Sequence, residues 1–341
     1  MYTITLRDGK TFQANATDSI LDCALHANIQ LEHSCKNGRC GACKAPAQGA
    51  STLLIDETAL SEQERQHGLI LTCCRKAAEH LALDLEDLPE LANFRPKLTP
   101  LRIDALRKLT DDVLEVIVRT PPNSTLKFLP GQHVSISSPS GICRSYSLAN
   151  APRADGKLEL HIKRVKGGAF SQYWFEQAAP NDLLRLNGPL GTFFLRQNRP
   201  AIQHIVFLAT GTGIAPVKAM LEQMSQLELS AQGVKSVRVY LGGRTRHELY
   251  WQPELHTIQG PLFEFFPCVS REKLANHAEH GYVQTVFAQH IHSKGLNLQH
   301  TAVYACGSNP MIQDARRTLL ELGLPPHHFY SDAFVSTEKT S

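Results

Sequence analysis

Short runs of alternating apolar and polar positions open the chain and predict β-strands. Residues 2–6 alternate before Asp8-Gly9 and residues 11–13 after it, and this pair predicts a two-residue hairpin turn because both positions tolerate a positive φ. Apolar residues at helical spacing follow over residues 20–25, and residues 81–85 alternate again. A hairpin, a helix and a closing strand in this order predict a β-grasp domain.

The middle of the chain consists of short strand-like runs separated by turn residues. A proline-rich stretch without a clear period, LPELANFRPKLTP, precedes these runs and predicts a linker. Several short runs of this kind are typical of an antiparallel barrel. The runs lie at residues 101–106, 113–118, 133–136, 145–148, 158–165 and 183–186.

In the last part of the chain, buried-type apolar runs at residues 205–209, 237–241, 263–269 and 302–306 alternate with helical stretches. This alternation predicts a doubly wound α/β sheet. The chain is therefore expected to fold as three domains. These are a β-grasp domain over residues 1–92, an antiparallel Greek-key β-barrel over residues 98–198 and a doubly wound α/β domain over residues 200–336.

Composition and charge exclude several classes of protein. The 341 residues suit two or three domains, and 42% apolar with 20% charged residues is ordinary globular composition. A net charge of +3, evenly spread, does not indicate a nucleic-acid or membrane surface as partner. The start of the chain lacks the features of a signal peptide, and nine cysteines without a secretion signal fit reduced thiols. A cytoplasmic location is expected.

The cysteines carry the clearest candidate chemistry. Cys35, Cys40 and Cys43 read C-x4-C-x2-C, and with Cys73 in LTCC they form the plant-type arrangement that holds a [2Fe-2S] cluster. Small residues within the triplet let the loop curl and aim N–H groups at the sulfurs. The alternative is zinc, whose structural sites usually supply two short pairs, and a disulfide is less favoured still. Cys74 is expected to pack away from the ligands, because adjacent side chains of an extended segment point opposite ways.

A second motif, R-x-Y-S, resembles the flavin-binding signature of the ferredoxin reductase family. The Arg144 guanidinium suits a flavin phosphate, Tyr146 on the same strand face can stack on the isoalloxazine, and the resemblance puts Ser147 near flavin N5. The alternative is an ordinary solvent-facing strand. A glycine turn that contains Gly168 and Ser171 follows, where amides at a helix start can receive a pyrophosphate. Ser171 is a candidate N-cap of that helix.

A third motif marks a nicotinamide site. The turn Gly211-Thr212-Gly213 joins a strand to a helix and can place amides against a pyrophosphate, and its G-T-G-x-A-P form resembles the nicotinamide domain of the same family. Arg244 follows the second strand, where the ribose end of the cofactor is expected. Arg246 could meet a 2′-phosphate and Glu248 a free 2′-hydroxyl. NADH is favoured by the resemblance, and NADPH stays open.

Two further elements are identified by resemblance alone. In the family, the C-G-x-x-P-M element places its cysteine, here Cys306, beside the nicotinamide C4, although a plain strand-end cysteine is the alternative. Asp332 and Phe334 resemble the family's acidic residue and terminal aromatic, which line the flavin. Many relatives have Glu there and end on the aromatic, whereas this chain continues through Val335 to Ser341.

The whole chain resembles NADH-dependent iron-sulfur flavoprotein reductases. Within that family it is most similar to the CDP-6-deoxy-Δ3,4-glucoseen reductases of dideoxysugar synthesis, through CKNGRCGACKA, LTCC, RSYSLANAP, GPLGTFF, YACGS and FYSDAF. The resemblance implies electron flow from NADH through FAD and the [2Fe-2S] cluster to a partner protein.

The resemblance also implies what that partner is. A pyridoxamine-phosphate-dependent sugar dehydrase is expected, docked at the rim of the cluster loop, where Lys36, Asn37 and Arg39 lie. The alternative is a component of a ring-hydroxylating or multicomponent oxygenase. A non-catalytic iron-sulfur redox sensor would need no nicotinamide domain.

Overall fold

The computed structural model describes residues 1–197, 199, 201–253, 258–272 and 279–334. The tail that the sequence singles out, from Val335 to Ser341, lies outside the described residues. The described residues cluster into two compact units, one formed by Met1–Arg95 with Asp332–Phe334 and the other by Pro96–Ser331. The boundaries of the three predicted domains remain predictions.

The first unit has the predicted β-grasp fold. Its first and last strands run parallel, with Ile4 opposite Leu81, and an amphipathic helix shares their apolar core. The elements are β1 (Tyr2–Leu6), β2 (Thr11–Ala14), α1 (Ile20–His26), β3 (Lys44–Gln48), β4 (Ser51–Leu53), α2 (Glu62–Gln66), β5 (Leu69–Leu71), β6 (Arg75–Ala77), β7 (Leu81–Leu83) and a 3₁₀ turn (Pro89–Asn93). The sheet order is β2-β1-β7-β3-β5, and β4 pairs with β6.

The hairpin between β1 and β2 is wider than predicted. The Leu6 amide donates to the Lys10 carbonyl at 2.8 Å, and the Gly9 amide donates to the Leu6 carbonyl at 3.0 Å. Gly9 has a φ of +83°, whereas Asp8 has no positive φ. The prediction of a two-residue turn was wrong, because that turn needs a positive φ at both positions and a longer loop needs only one.

Helix α1 begins later than its candidate caps suggest. Thr17 and Asp18 are the residue types that favour an N-cap, but Ser19 is the cap and its Oγ accepts from the Asp22 amide at 3.0 Å. The Thr17 and Asp18 amides donate instead to Asn15 Oδ1 at 2.9 and 2.7 Å. These two residues therefore belong to a turn before the helix.

In the second unit, all six strand-like runs of the middle segment form one antiparallel sheet. The strands are β8 (Lys97–Thr110), β9 (Val113–Arg119), β10 (His133–Ser137), β11 (Cys143–Ser147), β12 (Lys157–Lys163) and β13 (Leu183–Leu190). Their order is β11-β10-β13-β8-β9-β12. A bridge between Leu148 and Leu160 joins the two ends and closes a barrel around an apolar core. A short helix α3 (Ala169–Gln172) continues into a π-helical turn (Tyr173–Gln177).

A parallel sheet with helices follows in the same unit, apart from Asp332–Phe334 at the end of its last strand, which belong to the first unit. Its elements are β14 (His204–Thr210), α4 (Ile214–Met224), β15 (Ser236–Gly243), β16 (Leu262–Val269), β17 (Glu279–His280), α5 (Val283–Ser293), β18 (Thr301–Ser308), α6 (Asn309–Glu321) and β19 (Phe329–Phe334). The order is β17-β16-β15-β14-β18-β19. Strands β15, β16 and β17 follow one another on one side of β14, and β18 then lies on the other side. The carboxyl ends of β14 and β18 therefore flank the point where the strand order reverses, which is where ligands bind in such sheets.

Candidate functional site

The predicted cluster cysteines are brought together in the first unit. Cys73, in the turn after β5, lies with its Sγ 3.2 Å from the Sγ of Cys43. The Cys35 amide donates to Cys40 Sγ at 3.4 Å, and the Cys40 amide to Cys35 Sγ at 3.3 Å. Cys35 is half-buried and the other three are buried. The four sulfurs thus come from one loop and one turn folded against it.

Hydrogen bonds among these four cysteines favour the thiolate form of two of them, Cys35 and Cys73. The bond from the Cys40 thiol, with those from backbone amides that include Asn37, lowers the pKa of Cys35 to about 5. The bond from Cys43 lowers the pKa of Cys73 to about 7, while the donors Cys40 and Cys43 have raised pKa values. Backbone donors around four converging sulfurs suit thiolate-ligated iron, because they stabilise negative charge on the ligands.

The loop needs a glycine at its centre. Gly38 has a φ of +75°, and a Cβ there would lie 2.3 Å from the Asp56 backbone oxygen and 2.9 Å from Cys74 Sγ. The Ala59 amide also donates to the Gly38 carbonyl, at 2.9 Å. Only a residue without a side chain fits this close approach.

Cys74 does not point away from the ligands. Its Sγ lies 3.5 Å from the Sγ of Cys73, and the residue is fully buried. The prediction was wrong because this segment is a turn rather than an extended strand: the Cys74 amide donates to the Leu71 carbonyl at 2.9 Å. The alternation of side chains applies only to extended backbone.

The predicted flavin residues lie on β11, at one end of the barrel's strand order. Arg144 is exposed, and Ser147 is buried opposite His133 of β10. The Tyr146 ring packs edge-on against Trp174 at 6.0 Å, and its hydroxyl accepts from Trp174 Nε1 at 2.9 Å. Burial raises the pKa of Tyr146. The tyrosine is therefore held in one orientation beside an exposed guanidinium.

The glycine turn before α3 differs from its prediction in one respect. Gly168 is the N-cap and Ser171 lies inside the first turn of the helix. The Ser171 hydroxyl accepts from the Val165 amide at 2.8 Å, so the prediction of Ser171 as N-cap was wrong. Its side chain reaches back along the chain to the loop that leads into the helix.

The predicted nicotinamide residues meet at the carboxyl ends of β14 and β18. Ala209 lies opposite Cys306 in the parallel register, and the turn Gly211-Thr212-Gly213 follows directly. A Cβ on Gly213 would lie 2.1 Å from the Cys306 carbonyl oxygen. Cys306 is fully buried. The two motifs therefore lie against each other where the strand order reverses.

Arg244 and Glu248, beyond the end of β15, are paired with each other. Arg244 Nε donates to Glu248 Oε1 at 2.6 Å, and the Arg244 amide donates to Oε2 at 2.9 Å. Partial burial opposes ionisation, but these bonds hold the pKa of Glu248 below its ordinary value. The Arg246 amide donates to Glu272 at 2.9 Å. A carboxylate here can accept from a ribose hydroxyl and would repel a 2′-phosphate.

The residues Asp332 and Phe334 lie on β19. Asp332 is buried at 6% exposure, while Phe334 is 40% exposed. The six-residue strand therefore ends with one acidic side chain shielded from water and one aromatic side chain that faces it.

Sequence reasoning missed a charged network between the barrel and the parallel sheet. Glu159 of β12 accepts from Lys218 Nζ of α4 at 3.1 Å and from Arg153 at 3.0 Å. Lys218 also donates to Glu222 at 2.6 Å, and Glu222 accepts from the Ala151 amide at 2.9 Å. The available signal is the run LELHIK, in which a Glu and a His interrupt an otherwise apolar buried strand.

Three protein families match consecutive parts of the chain. A 2Fe-2S iron-sulfur cluster binding domain matches residues 4–78, an oxidoreductase FAD-binding domain residues 100–195 and an oxidoreductase NAD-binding domain residues 207–317. The order of the three matches agrees with the order of cluster, flavin and nicotinamide residues along the chain.

Individual relatives match over nearly the full length. The CDP-6-deoxy-L-threo-D-glycero-4-hexulose-3-dehydrase reductase of Yersinia pestis is 37% identical over 97% of both chains. The toluate 1,2-dioxygenase electron transfer component of Pseudomonas putida is 30% identical over 97% of both chains. A solved structure, the ferredoxin reductase in carbazole 1,9a-dioxygenase, superposes with a TM-score of 0.67 at 26% identity and covers 98% of both chains.

The chain therefore belongs to the family of NAD(P)H-dependent iron-sulfur flavoprotein reductases. It is an electron-transfer oxidoreductase with a [2Fe-2S] cluster, FAD and NADH as its cofactors. Its relatives include both deoxysugar reductases and oxygenase components. None of the described helices has the length and hydrophobicity required to cross a bilayer.

Proposed function

We propose that this reductase delivers single electrons to a pyridoxamine-phosphate-dependent sugar dehydrase. The observation that carries the proposal is the 37% identity over 97% of both chains with a hexulose-dehydrase reductase, against 30% for an oxygenase component of equal coverage. That relative is named as the reductase of a dehydrase. In the described part of the chain none of the nine cysteines forms a disulfide, which is compatible with a cytoplasmic site of action, and we also propose this location.

The cluster ligands of the proposal are Cys35, Cys40, Cys43 and Cys73. Their sulfurs converge, and backbone amides point at them. When bound, FAD accepts a hydride as an electron pair and releases electrons singly to the cluster. Gly38 lets the loop approach the backbone beneath it. This chain thereby shapes a thiolate pocket that would hold a cluster able to accept one electron at a time.

The barrel residues are assigned to FAD. Arg144 has an exposed guanidinium for a flavin phosphate, and the fixed ring of Tyr146 offers a stacking surface. Ser147 is assigned to the edge of the isoalloxazine that receives hydride, and Gly168 and Ser171 to the turn that holds the pyrophosphate.

The strand ends are assigned to NADH. The turn Gly211-Thr212-Gly213 is assigned to the pyrophosphate, Arg244 to the ribose end and Cys306 to the nicotinamide ring. Asp332 and Phe334 on β19 complete the catalytic set by resemblance to the family.

Replacement of both Arg144 and Tyr146 is expected to give flavin-free protein, and FAD retained at one per chain would contradict their assignment.

The partner is proposed to dock at the rim of the cluster loop. Lys36, Asn37 and Arg39 are exposed there, while Cys40 is buried directly beside them. Two cations at this rim favour an acidic surface on the partner. Charge reversal at Lys36 and Arg39 should slow electron transfer to the partner and leave reduction of the flavin by NADH unchanged.

The acceptor can be identified by reoxidation of the reduced protein. The holoenzyme is reduced anaerobically with NADH and mixed either with a purified sugar dehydrase and its substrate or with an oxygenase component. We expect the dehydrase to reoxidise the cluster during its turnover. Rapid reoxidation by the oxygenase component, with none by the dehydrase, would favour the second candidate function, which the toluate and carbazole dioxygenase relatives support.

A further inference from the structure

A buried chain of hydrogen bonds runs from the barrel to the end of the parallel sheet. Glu159 and His161 lie two residues apart on β12, and Glu159 Oε1 is 3.0 Å from His161 Nε2. His161 Nδ1 is 3.1 Å from the hydroxyl of Tyr250, which follows the turn after β15. The two rings also pack edge to face at 5.5 Å. The side chains of Glu159 and His161 are 6% and 2% exposed.

The carboxylate at one end sets the direction of these bonds. Burial opposes ionisation of Glu159, but the bonds from His161 and the charge of Lys218 lower its pKa to about 2. An ionised carboxylate only accepts, so His161 Nε2 carries the hydrogen. A ring with that single hydrogen accepts at Nδ1, and Tyr250 then donates its O–H to it.

The Tyr250 oxygen keeps its acceptor capacity. Among the residues that the structure describes, His161 is its one hydrogen-bond partner, and that bond uses the hydroxyl hydrogen. Burial, with the nearby Glu159 and Cys306 groups, holds the pKa of Tyr250 well above its ordinary value, so the hydroxyl stays neutral. Its ring packs against the apolar core that contains Cys306. An oriented acceptor therefore lies at the strand ends assigned to the nicotinamide.

A metal ion does not explain this cluster. Glu115, Glu159 and His161 place ligand atoms within 4.8 Å of one another. Both carboxylates, however, are already paired with cations: Glu115 with Arg107 at 2.9 Å, and Glu159 with Arg153 and Lys218. A further cation would have to displace these partners, so the arrangement favours orientation of the histidine over metal binding.

We propose that Tyr250, oriented by His161 and Glu159, accepts a hydrogen bond from the carboxamide N–H₂ of the nicotinamide ring. This amide is the one N–H donor on the ring, so the bond would fix the rotation of the ring and the position of its C4. Tyr250 then contacts the cofactor, and His161 and Glu159 are positioning residues. The inference rests on the proposed location of the nicotinamide beside Cys306.

The test removes the proposed donor, on the cofactor, and the proposed acceptor, on Tyr250, in separate experiments. The 3-acetylpyridine analogue of NADH has a methyl ketone instead of the carboxamide and so lacks the N–H donor. Dissociation constants for NADH and for the analogue are measured from the saturation of flavin reduction in stopped flow, for the wild type and Tyr250→Phe. Each cofactor is compared only with itself across the variants, so the difference in their redox potentials cancels.

Tyr250→Phe is expected to weaken NADH binding by about 2- to 13-fold, the range of one hydrogen bond, and to leave binding of the analogue unchanged. Equal weakening of both cofactors, or no effect on either, would overturn the proposal. Tyr173→Phe is the matched control, because it also removes a phenol hydroxyl that donates to a side chain, in this case the Asp182 carboxylate at 2.9 Å, and it should change neither constant.

The positioning role is tested by His161→Phe. His161→Phe alone should raise the NADH dissociation constant, as Tyr250→Phe does. In the double variant it should cause no further increase, because both substitutions remove the same oriented acceptor. Additive losses would refute the relay. FAD content and the NADH analogue constants report whether the variants fold. None of these measurements needs an electron acceptor, so failure of the dehydrase proposal leaves this test intact.

Discussion

At the residue scale, the cluster loop depends on one glycine. Gly38→Ala would place a methyl group 2.3 Å from the Asp56 backbone oxygen at a φ of +75°, and backbone cannot move aside cheaply. We expect loss of most iron and sulfide and of the visible absorption of the cluster, while FAD content is unchanged.

Gly9→Ala is the matched control for this effect. Gly9 has a similar φ of +83° but nothing within 4 Å of an added Cβ. It should cost about 1 kcal/mol of stability from the left-handed backbone alone and keep its cluster. Equal cluster content in the two alanine variants would contradict the steric explanation.

At the element scale, the close approach of β14 and β18 should control NADH binding. An added Cβ on Gly213 would meet the Cys306 carbonyl oxygen at 2.1 Å without any positive φ at that position. Gly213→Ala is therefore expected to separate the two strand ends and to raise the NADH dissociation constant, with FAD retained. Gly295→Ala, at an open site with a φ of +63°, should bind NADH normally. Normal NADH binding by Gly213→Ala would count against a shared site.

The ion-pair network between β12 and α4 gives a pH-dependent prediction. Glu159 has a pKa of about 2 in the folded chain against an ordinary value of 4.5. Its ionised form therefore stabilises the fold above about pH 4.5, and this contribution is lost as the pH falls toward 2. Glu159→Gln should cost about 3 kcal/mol near neutral pH, as for one broken partner of a buried pair.

Denaturant unfolding of both proteins between about pH 6 and about pH 3 would measure this difference. The gap in the free energy of unfolding between the wild type and Glu159→Gln should become smaller as the pH falls. A gap that stays constant with pH would exclude an electrostatic role for Glu159. Glu115→Gln on the neighbouring strand removes a carboxylate whose partner Arg107 is 68% exposed, and it should cost only about 0–1 kcal/mol.

The strands and the four neighbouring cysteines could be predicted because their signals are local. Alternation over a few residues marks each strand of the barrel, and three of the cysteines lie within one loop. The Ser19 cap, the hydroxyl of Ser171 and the direction of Cys74 depend instead on backbone geometry. Sequence reasoning missed each of these three features. The same residue type suits more than one backbone position, so its identity does not show which position the chain adopts.

The contact of Glu159 with Lys218 could not be predicted from the sequence for a different reason. These residues belong to elements far apart in sequence, and they meet only because α4 packs beside the end of the barrel. A Glu and a His in a buried strand signal that partners must exist, since buried charge is paired. They do not show that the partners are a lysine on α4 and a tyrosine after β15.

At the scale of the whole molecule, the three matched families divide one reaction among consecutive parts of the chain. Two-electron chemistry needs only the FAD-binding and NAD-binding domains, which match residues 100–195 and 207–317 of the chain. One-electron delivery needs the cysteines near its start. Loss of the cluster should therefore remove delivery to a protein acceptor and leave the first half of the reaction intact.

This separation is best tested with a double variant. Cys74 Sγ lies 3.5 Å from Cys73 Sγ, so Cys73→Ser alone leaves a buried thiol beside the lost ligand. Cys73→Ser with Cys74→Ala should contain no iron, bind FAD normally and reduce dichlorophenolindophenol with NADH at the wild-type rate, while transfer to the protein acceptor ceases. Cys23→Ala, which removes another buried thiol of the first unit, should retain iron and both activities. If the double variant also lost dye reduction, the flavin would depend on the cluster, and the two half-reactions would not be independent.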